Sequence, residues 1–391
     1  MPPTLNALLT AMVQQNALEL HLRASAAPAC RSEQGFLWLN LPPLTMSDIK
    51  HLVYSAMRDR DKEELEKSGS VEYVFGIKGL GSFKCNVYHQ SGLLSATYEY
   101  VPFGAPAWKS YRLPKTLAVV PRPGLHLIGG DSAQARTLFL RSYLSMLDSS
   151  WKKKCLIFSK AGQLYLENTR LLESFCLGED IRTLEEAMSR LRAARGDVMA
   201  FDHIYDLEGR TEILNTAGSG IPVVATAIGN SAEEVITNFY QDMPPHYIKA
   251  ARRKLAQSLE WIFVQQSVCG KAGKIWPVFE ILMADQELRR TIATGSMQDI
   301  SQTLNCGLPP AGSKSIYEDL MVLVDYRRVP IEIAKASAPD ADLFDKLWSQ
   351  YKLEQLLRNP RKVFFRLWKE NISKNNRPVN RRRKINLLHK P

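Results

Sequence analysis

No stretch of this chain is apolar for anything near the roughly 20 residues that a bilayer-spanning helix requires. Its opening, MPPTLNALLTAMVQQ, lacks the basic start and apolar core of an export signal. Cysteine is scarce: six among 391 residues, at Cys30, Cys85, Cys155, Cys176, Cys269 and Cys306, with no CxxC pair. That spacing argues against a disulfide framework or a zinc site and predicts reduced, buried thiols in cytosol. Most of the chain also lacks any excess of charge. Lys352 to Pro391 holds 13 Lys/Arg and 2 Asp/Glu; removing these from totals of 51 and 40 leaves 38 of each. The net +11 therefore belongs to the tail alone. A nucleic-acid-binding body is not indicated, since such domains carry their positive stripe on the folded surface.

What is there is an ordinary globular composition, 45% hydrophobic and 23% charged, long enough for two or three domains. Residues 5–22 (LNALLTAMVQQNALELHL) have helical apolar spacing, and a second helix is expected after Thr45, in LTMSDIKHLVYSAMRDRDKEELEK. VEYVFGIKGLGSFKCNVYHQ and LLSATYEYVP alternate like strands joined by glycine-containing turns. Residues 1–102 are expected to form this first α/β domain, and the proline- and glycine-rich residues 103–123 a linker. Residues 124–350 are expected to form the second domain. Its strand candidates are LHLIGG, KCLIFSK, GDVMAFD and IPVVATA. SAQARTLFLRSYLSML, TLEEAMSRLRAAR and DLEGRTEILNTAGSG lie between them as helices. That alternation predicts a parallel sheet covered on both faces. From about Pro244 to Trp348 the expectation is mostly helix, and residues 351–391 form a basic tail.

The order of these segments over roughly residues 1–350 resembles the PilT-type pilus retraction ATPases and their relatives in type II and type IV secretion. LTMSDIKHLVYSAM, GSFKCNVYHQ and YEYVP are similar to the family's N-terminal domain. HLIGGDSAQARTLFL stands where the family carries its Walker A loop. GDVMAFDHIYDLEGRTEILNTAGSGIPVVATAIGNSAEEVI is similar to the stretch with its Walker B and histidine boxes. HYIKAARRKLAQSLEWIFVQQ and KIWPVFEILMADQELRRTIATG resemble the helices that close the core. The resemblance implies a PAS-like N-terminal α/β domain, then a RecA-like P-loop NTPase domain with C-terminal helices. It also implies a ring of six chains with nucleotide between the domains.

A P-loop needs glycines whose backbone N–H groups wrap phosphate, a lysine on the β/γ-phosphates and a hydroxyl for magnesium. The best register here is Gly130-x-x-x-x-Ala135-Arg136-Thr137. Alanine replaces the second glycine, and arginine, planar and bulkier, replaces the lysine. Moving the register by one puts Ala135 at the lysine and Arg136 at the hydroxyl, which is worse. A helix start can still favour an anion, so ATP and magnesium are expected to bind weakly if at all; a plain strand-to-helix turn is the competing expectation. The family's acidic pair corresponds to Ser159-Lys160, its Walker B glycine–glutamate to Asp202-His203, and its histidine to Ile228. Asp202 is either a displaced metal ligand or an ordinary strand end. Lys84, Gly92 and Glu99 stand in for the arginines of the N-terminal domain; only Lys84 keeps a positive charge, as a phosphate contact or a solvated side chain.

Loss of one preorganised electrostatic group commonly costs about 2.7–4 kcal/mol in a transition state, although such losses need not add. Five together imply a pseudo-ATPase with no catalytic residue and no resident metal. The tail interleaves Leu356, Leu357, Phe364, Phe365, Leu367 and Trp368 with basic residues, then runs RRRK at 381–384. It suits an anionic membrane surface, an acidic partner, or free solvation. The leading expectation is a noncatalytic subunit in a homo- or hetero-hexamer with PilT-like subunits, in the cytoplasm at an inner-membrane pilus or secretion platform, without specific nucleic acid. The alternatives are a working ATPase using Arg136, Thr137 and Asp202, and nucleic-acid binding through the tail.

Overall fold

The computed structural model describes residues 3–32, 35–102, 104–111, 119–159, 170–177, 180–294 and 311–358, with positions 113, 117 and 299. Helix α1 (Leu5–Gln14) starts at Thr4, whose hydroxyl accepts the Ala7 N–H, and buries Leu5, Leu8, Leu9 and Met12. It stops well short of residue 22 because Asn16 turns to φ 53. The remaining apolar residues then alternate in strand β1 (Glu19–Arg23) instead of continuing a helix. β2 (Ala29–Ser32) and β3 (Gly35–Trp38) form a hairpin that the sequence pattern did not reveal. The segment after Thr45 divides into α2 (Met46–Tyr54), opened by a Thr45–Asp48 capping box, and α3 (Asp59–Ser68). β4 (Ser70–Ile77), β5 (Gly81–Gln90) and β6 (Leu93–Val101) make an antiparallel meander. The sheet order is β3-β2-β1-β6-β5-β4. Phe83, Cys85, Val87, Ala96 and Tyr98 bury one of its faces in a core shared with the helices. At its edge, Phe36, Leu37 and Trp38 of β3 are exposed.

The second sheet is built from β7 (Gly124–Gly130), β8 (Cys155–Ser159), β9 (Leu172–Cys176), β10 (Val198–Asp202), β11 (Pro222–Thr226), β12 (Leu259–Cys269) and β13 (Ile275–Met283). Its order is β13-β12-β7-β11-β10-β8-β9; the pairs are parallel except β12 with β13. The four expected strands are present because unbroken apolar runs suit a strand covered on both faces; every residue of β7, β8 and β10 is buried. Alternate β7 residues serve opposite cores. Leu125 and Leu127 meet α5 (Leu184–Ala194), α6 (Leu207–Gly218), α7 (Ala232–Tyr240) and α8 (Pro245–Ser258). Ile128 meets α4 (Ala133–Trp151), where Phe139 stacks on Phe263 at 3.6 Å.

The expectation of mostly helix from about Pro244 to Trp348 is corrected here. LEWIFVQQSVC and IWPVFEILM are the long strands β12 and β13, whose aromatic and β-branched residues favour a pleated surface. Helices resume with α9 (Gln286–Thr294) and α10 (Ile316–Asp325). Two compact units divide between Asp319 and Leu320. In the second, α11 (Ile331–Ser337) and α12 (Ala341–Arg358) bury Ala334 and Phe344. Lys160 and tail residues 359–391 lie outside the described residues. Cys30, Cys85, Cys155 and Cys176 are buried as expected, Cys269 is exposed, and Cys306 lies outside the described residues. Among the described residues no helix is long and apolar enough to cross a membrane.

Candidate functional site

The site lies where the strands of the parallel sheet end and helix α4 begins. β7 ends at Gly130, only Asp131 and Ser132 intervene, and Ala133 is already helical. Each side chain of this turn serves a protein atom. Asp131 accepts the Ser267 N–H at 2.7 Å, and Ser132 caps α4 by accepting the Ala135 N–H at 3.4 Å. Ala135 thus stands in a capped first turn, where a P-loop would keep an open nest of N–H groups. Gly130 is needed for packing: its φ is 154, and a Cβ there would sit 2.6 Å from the Gln265 carbonyl oxygen of β12. Arg136, expected at the lysine position, turns back on its own loop. Its guanidinium donates to the Gly130 carbonyl at 2.6 Å and lies 5.7 Å from the centre of the Tyr205 ring.

Thr137 and Asp202, 65 residues apart, meet inside the protein. Thr137 Oγ1 donates to Asp202 Oδ2 at 2.9 Å, and Thr226 Oγ1 donates to Asp202 Oδ1 at 2.9 Å. Asp202 is wholly buried, so these hydroxyls replace the water its carboxylate would otherwise hold. His203 follows at φ 56 with its Nε2 3.0 Å from Thr137 Oγ1 and its backbone N–H on Thr226 Oγ1. The sequence assigned no role to His203. Its one signal was an imidazole in register with the Walker B glutamate.

The N-terminal sheet supplies the opposite wall. Ser82, Lys84 and Glu99 share with Thr137, Asp202 and His203 a cavity of about 160 Å³. Lys84 faces Glu99 across the β5–β6 ladder and lies 3.8 Å from Glu72. Burial raises the Glu99 carboxyl, with Lys84 pulling the other way. Gly92 is remote in role: with Ser91 it makes the β5–β6 turn, both at positive φ, as a type I′ turn requires. Two side chains of α4 hold this sheet's exit: Gln134 Nε2 donates to Tyr100 O at 2.8 Å, and Arg141 Nη1 to Pro102 O at 2.9 Å. Burial lowers the Arg141 guanidinium to about 10, opposed by the charge of Asp202.

Ile228, expected at the histidine position, is half exposed on the loop before α7. Ser159 ends β8 and is buried. A magnesium–nucleotide calls for an open amide nest, a cation directed at phosphate and a hydroxyl and carboxylate turned to the metal. Here the nest is a capped helix, Arg136 is directed at a carbonyl, and both Asp202 oxygens accept hydroxyl protons. This residue set does not fit that ligand as the family's motif would hold it.

No family model matches the chain. In sequence, the type IV pilus retraction ATPase PilT of Pseudomonas aeruginosa is 22% identical over 304 residues, covering 77% of this chain and 88% of that protein. A twitching motility protein of Neisseria gonorrhoeae is 19% identical over 324 residues, covering 82% of this chain and 86% of that protein. Among solved structures, the pilus retraction motor PilT with bound ADP superposes with a TM-score of 0.72 at 23% identity, covering 87% of this chain and 98% of that one. The Legionella pneumophila ATPase DotB gives 0.69 at 14% identity, covering 85% and 94%. In segment order and strand order the chain resembles these type IV pilus and secretion ATPases, and it shares the fold of PilT and DotB.

Proposed function

We propose that this chain is a noncatalytic member of the type IV pilus and secretion ATPase family: a cytoplasmic subunit or regulator that joins a hexameric ring, alone or with an active PilT-like partner, at the inner-membrane base of a pilus or secretion apparatus. One observation carries the proposal. Asp131, Ser132, Arg136 and Thr137, the polar side chains of the phosphate turn, are all spent on protein atoms. A preorganised site stabilises a transition state only through donors aimed at the developing charge, and these are aimed elsewhere. Domain boundaries at residues 102, 123 and 350 belong to the same proposal, as do a solvated rather than phosphate-bound Lys84 and a membrane or acidic partner for the basic tail.

A second reading is favoured by the Thr137–Asp202 contact itself, since an active ATPase also brings a P-loop hydroxyl close to a strand-end carboxylate. Phosphate release by the purified protein, with ATP and magnesium, separates the two. The expected result is no release alone and an altered rate when mixed with an active PilT-type ATPase. Robust release, abolished by Arg136→Ala or Asp202→Ala, would overturn the proposal.

A further inference from the structure

Thr137 Oγ1 lies between two partners, Asp202 Oδ2 at 2.9 Å and His203 Nε2 at 3.0 Å. A carboxylate only accepts, so the single hydroxyl proton of Thr137 goes to Asp202. His203 must then donate from Nε2 to the same oxygen, which fixes the imidazole as the Nε2–H tautomer. The second oxygen of Asp202 is taken by the hydroxyl of Thr226. The backbone holds the imidazole in place: His203 has φ 56, uncommon for a non-glycine residue, and its N–H is tied to Thr226 Oγ1 at 3.1 Å. Strain of this kind persists only where the surroundings over-determine it, and here the ties converge on Asp202, through Thr226 on one oxygen and Thr137 on the other.

We propose that His203 is a wedge that closes the metal position of the phosphate turn. In P-loop proteins magnesium sits on the Ser/Thr hydroxyl oxygen at about 2.0–2.1 Å. On Thr137 the His203 N–H occupies one of the two lone pairs of that oxygen, and its positive hydrogen repels a cation approaching beside it. Any phosphate-bearing ligand at this turn is therefore bound without help from a divalent cation. The inference rests on the noncatalytic reading and adds the residue that enforces it.

The test uses the full chain and ADP carrying a fluorescent methylanthraniloyl group, titrated with magnesium or with a chelator, for the wild type, His203→Gly and His203→Glu. Glycine accepts a positive φ without strain, so His203→Gly removes the wedge and relaxes the backbone together; thermal melts confirm that both variants fold. Magnesium should leave wild-type binding unchanged and tighten binding by at least one variant about tenfold, the scale on which neighbours of a metal ligand change metal affinity. Nitrogen NMR of the wild-type imidazole should show the proton on Nε2. Equal tightening of the wild type by magnesium would overturn the wedge, and so would folded variants that both ignore magnesium. Phosphate release by the wild type is a different failure and would overturn the noncatalytic reading itself.

Discussion

Three strand-to-helix crossings lie along the same end of the parallel sheet, and their lengths run opposite to expectation. From β7 to α4 there are two residues, Asp131 and Ser132; from β10 to α6 four, His203–Asp206; from β11 to α7 five, Ala227–Ser231. The crossing that a nucleotide-binding loop would make widest is the tightest. All three helices start on a side-chain cap, from Ser132, Asp206 and Ser231. The β7–α4 crossing has the build of an ordinary turn, and of its polar side chains Thr137 alone joins the network around Asp202.

If that network is structural, breaking it is the largest perturbation available at this end of the sheet. Asp202→Ala leaves two buried hydroxyls without their acceptor and should cost about 4 kcal/mol in urea unfolding, from two hydrogen bonds to a charged group; a loss below about 1 kcal/mol would show the contacts to be incidental. The other end of β7 offers a contrast. His126 is buried on Trp261 with Nδ1 lacking a partner among the described residues. Burial lowers its imidazole to about 4 from an ordinary 6.5. The unfolded chain therefore takes the proton first, and stability is lost as pH falls from 6.5 through 4. Glu280, buried beside the start of α7, is raised by burial to about 7 from 4.5. Its contribution is present below 4.5 and lost as pH rises through 7. Each is worth about 3 kcal/mol, so the two slopes oppose one another between roughly 4.5 and 6.5. His126→Phe should remove the acid loss and leave stability falling with rising pH across that window; Glu280→Gln should do the reverse. Melts against pH for each variant read this directly. The smallest effects are at the caps. Asp206→Ala should cost about 1.5 kcal/mol and Ser132→Ala about 0.5 kcal/mol, following the shorter bond at Asp206, 2.7 against 3.4 Å. The reverse order in thermal melts would mean that the phosphate turn depends on its cap more than its neighbours do.

The strands β7, β8, β10 and β11 were legible because apolar runs between turn residues have one economical meaning in a chain that alternates with helices. β12 and β13 were not, since a run such as LEWIFV suits a buried helix or a strand equally until its neighbours are known. β2 and β3 are short, and β3 shows no burial pattern, so they left little trace in sequence. At the site, residue identities at Ala135, Arg136, Lys160 and Ile228 carried the expectation of lost motifs. Direction was hidden: nothing in the sequence tells that the Arg136 guanidinium turns back to Gly130, or that Thr137 reaches a carboxylate 65 positions away. The role proposed for His203 was not legible, because it depends on a backbone angle.

The two bonds from α4 to Tyr100 and Pro102 have a mechanical consequence. They are spaced along one rigid rod, so α4 is clamped at two points to the exit of the N-terminal sheet, at Tyr100 of β6 and at Pro102 just beyond it. A neighbour that pulls on that sheet would load the β7–α4 turn axially, with no slack segment in between, and a push on the turn would travel outward by the same shaft.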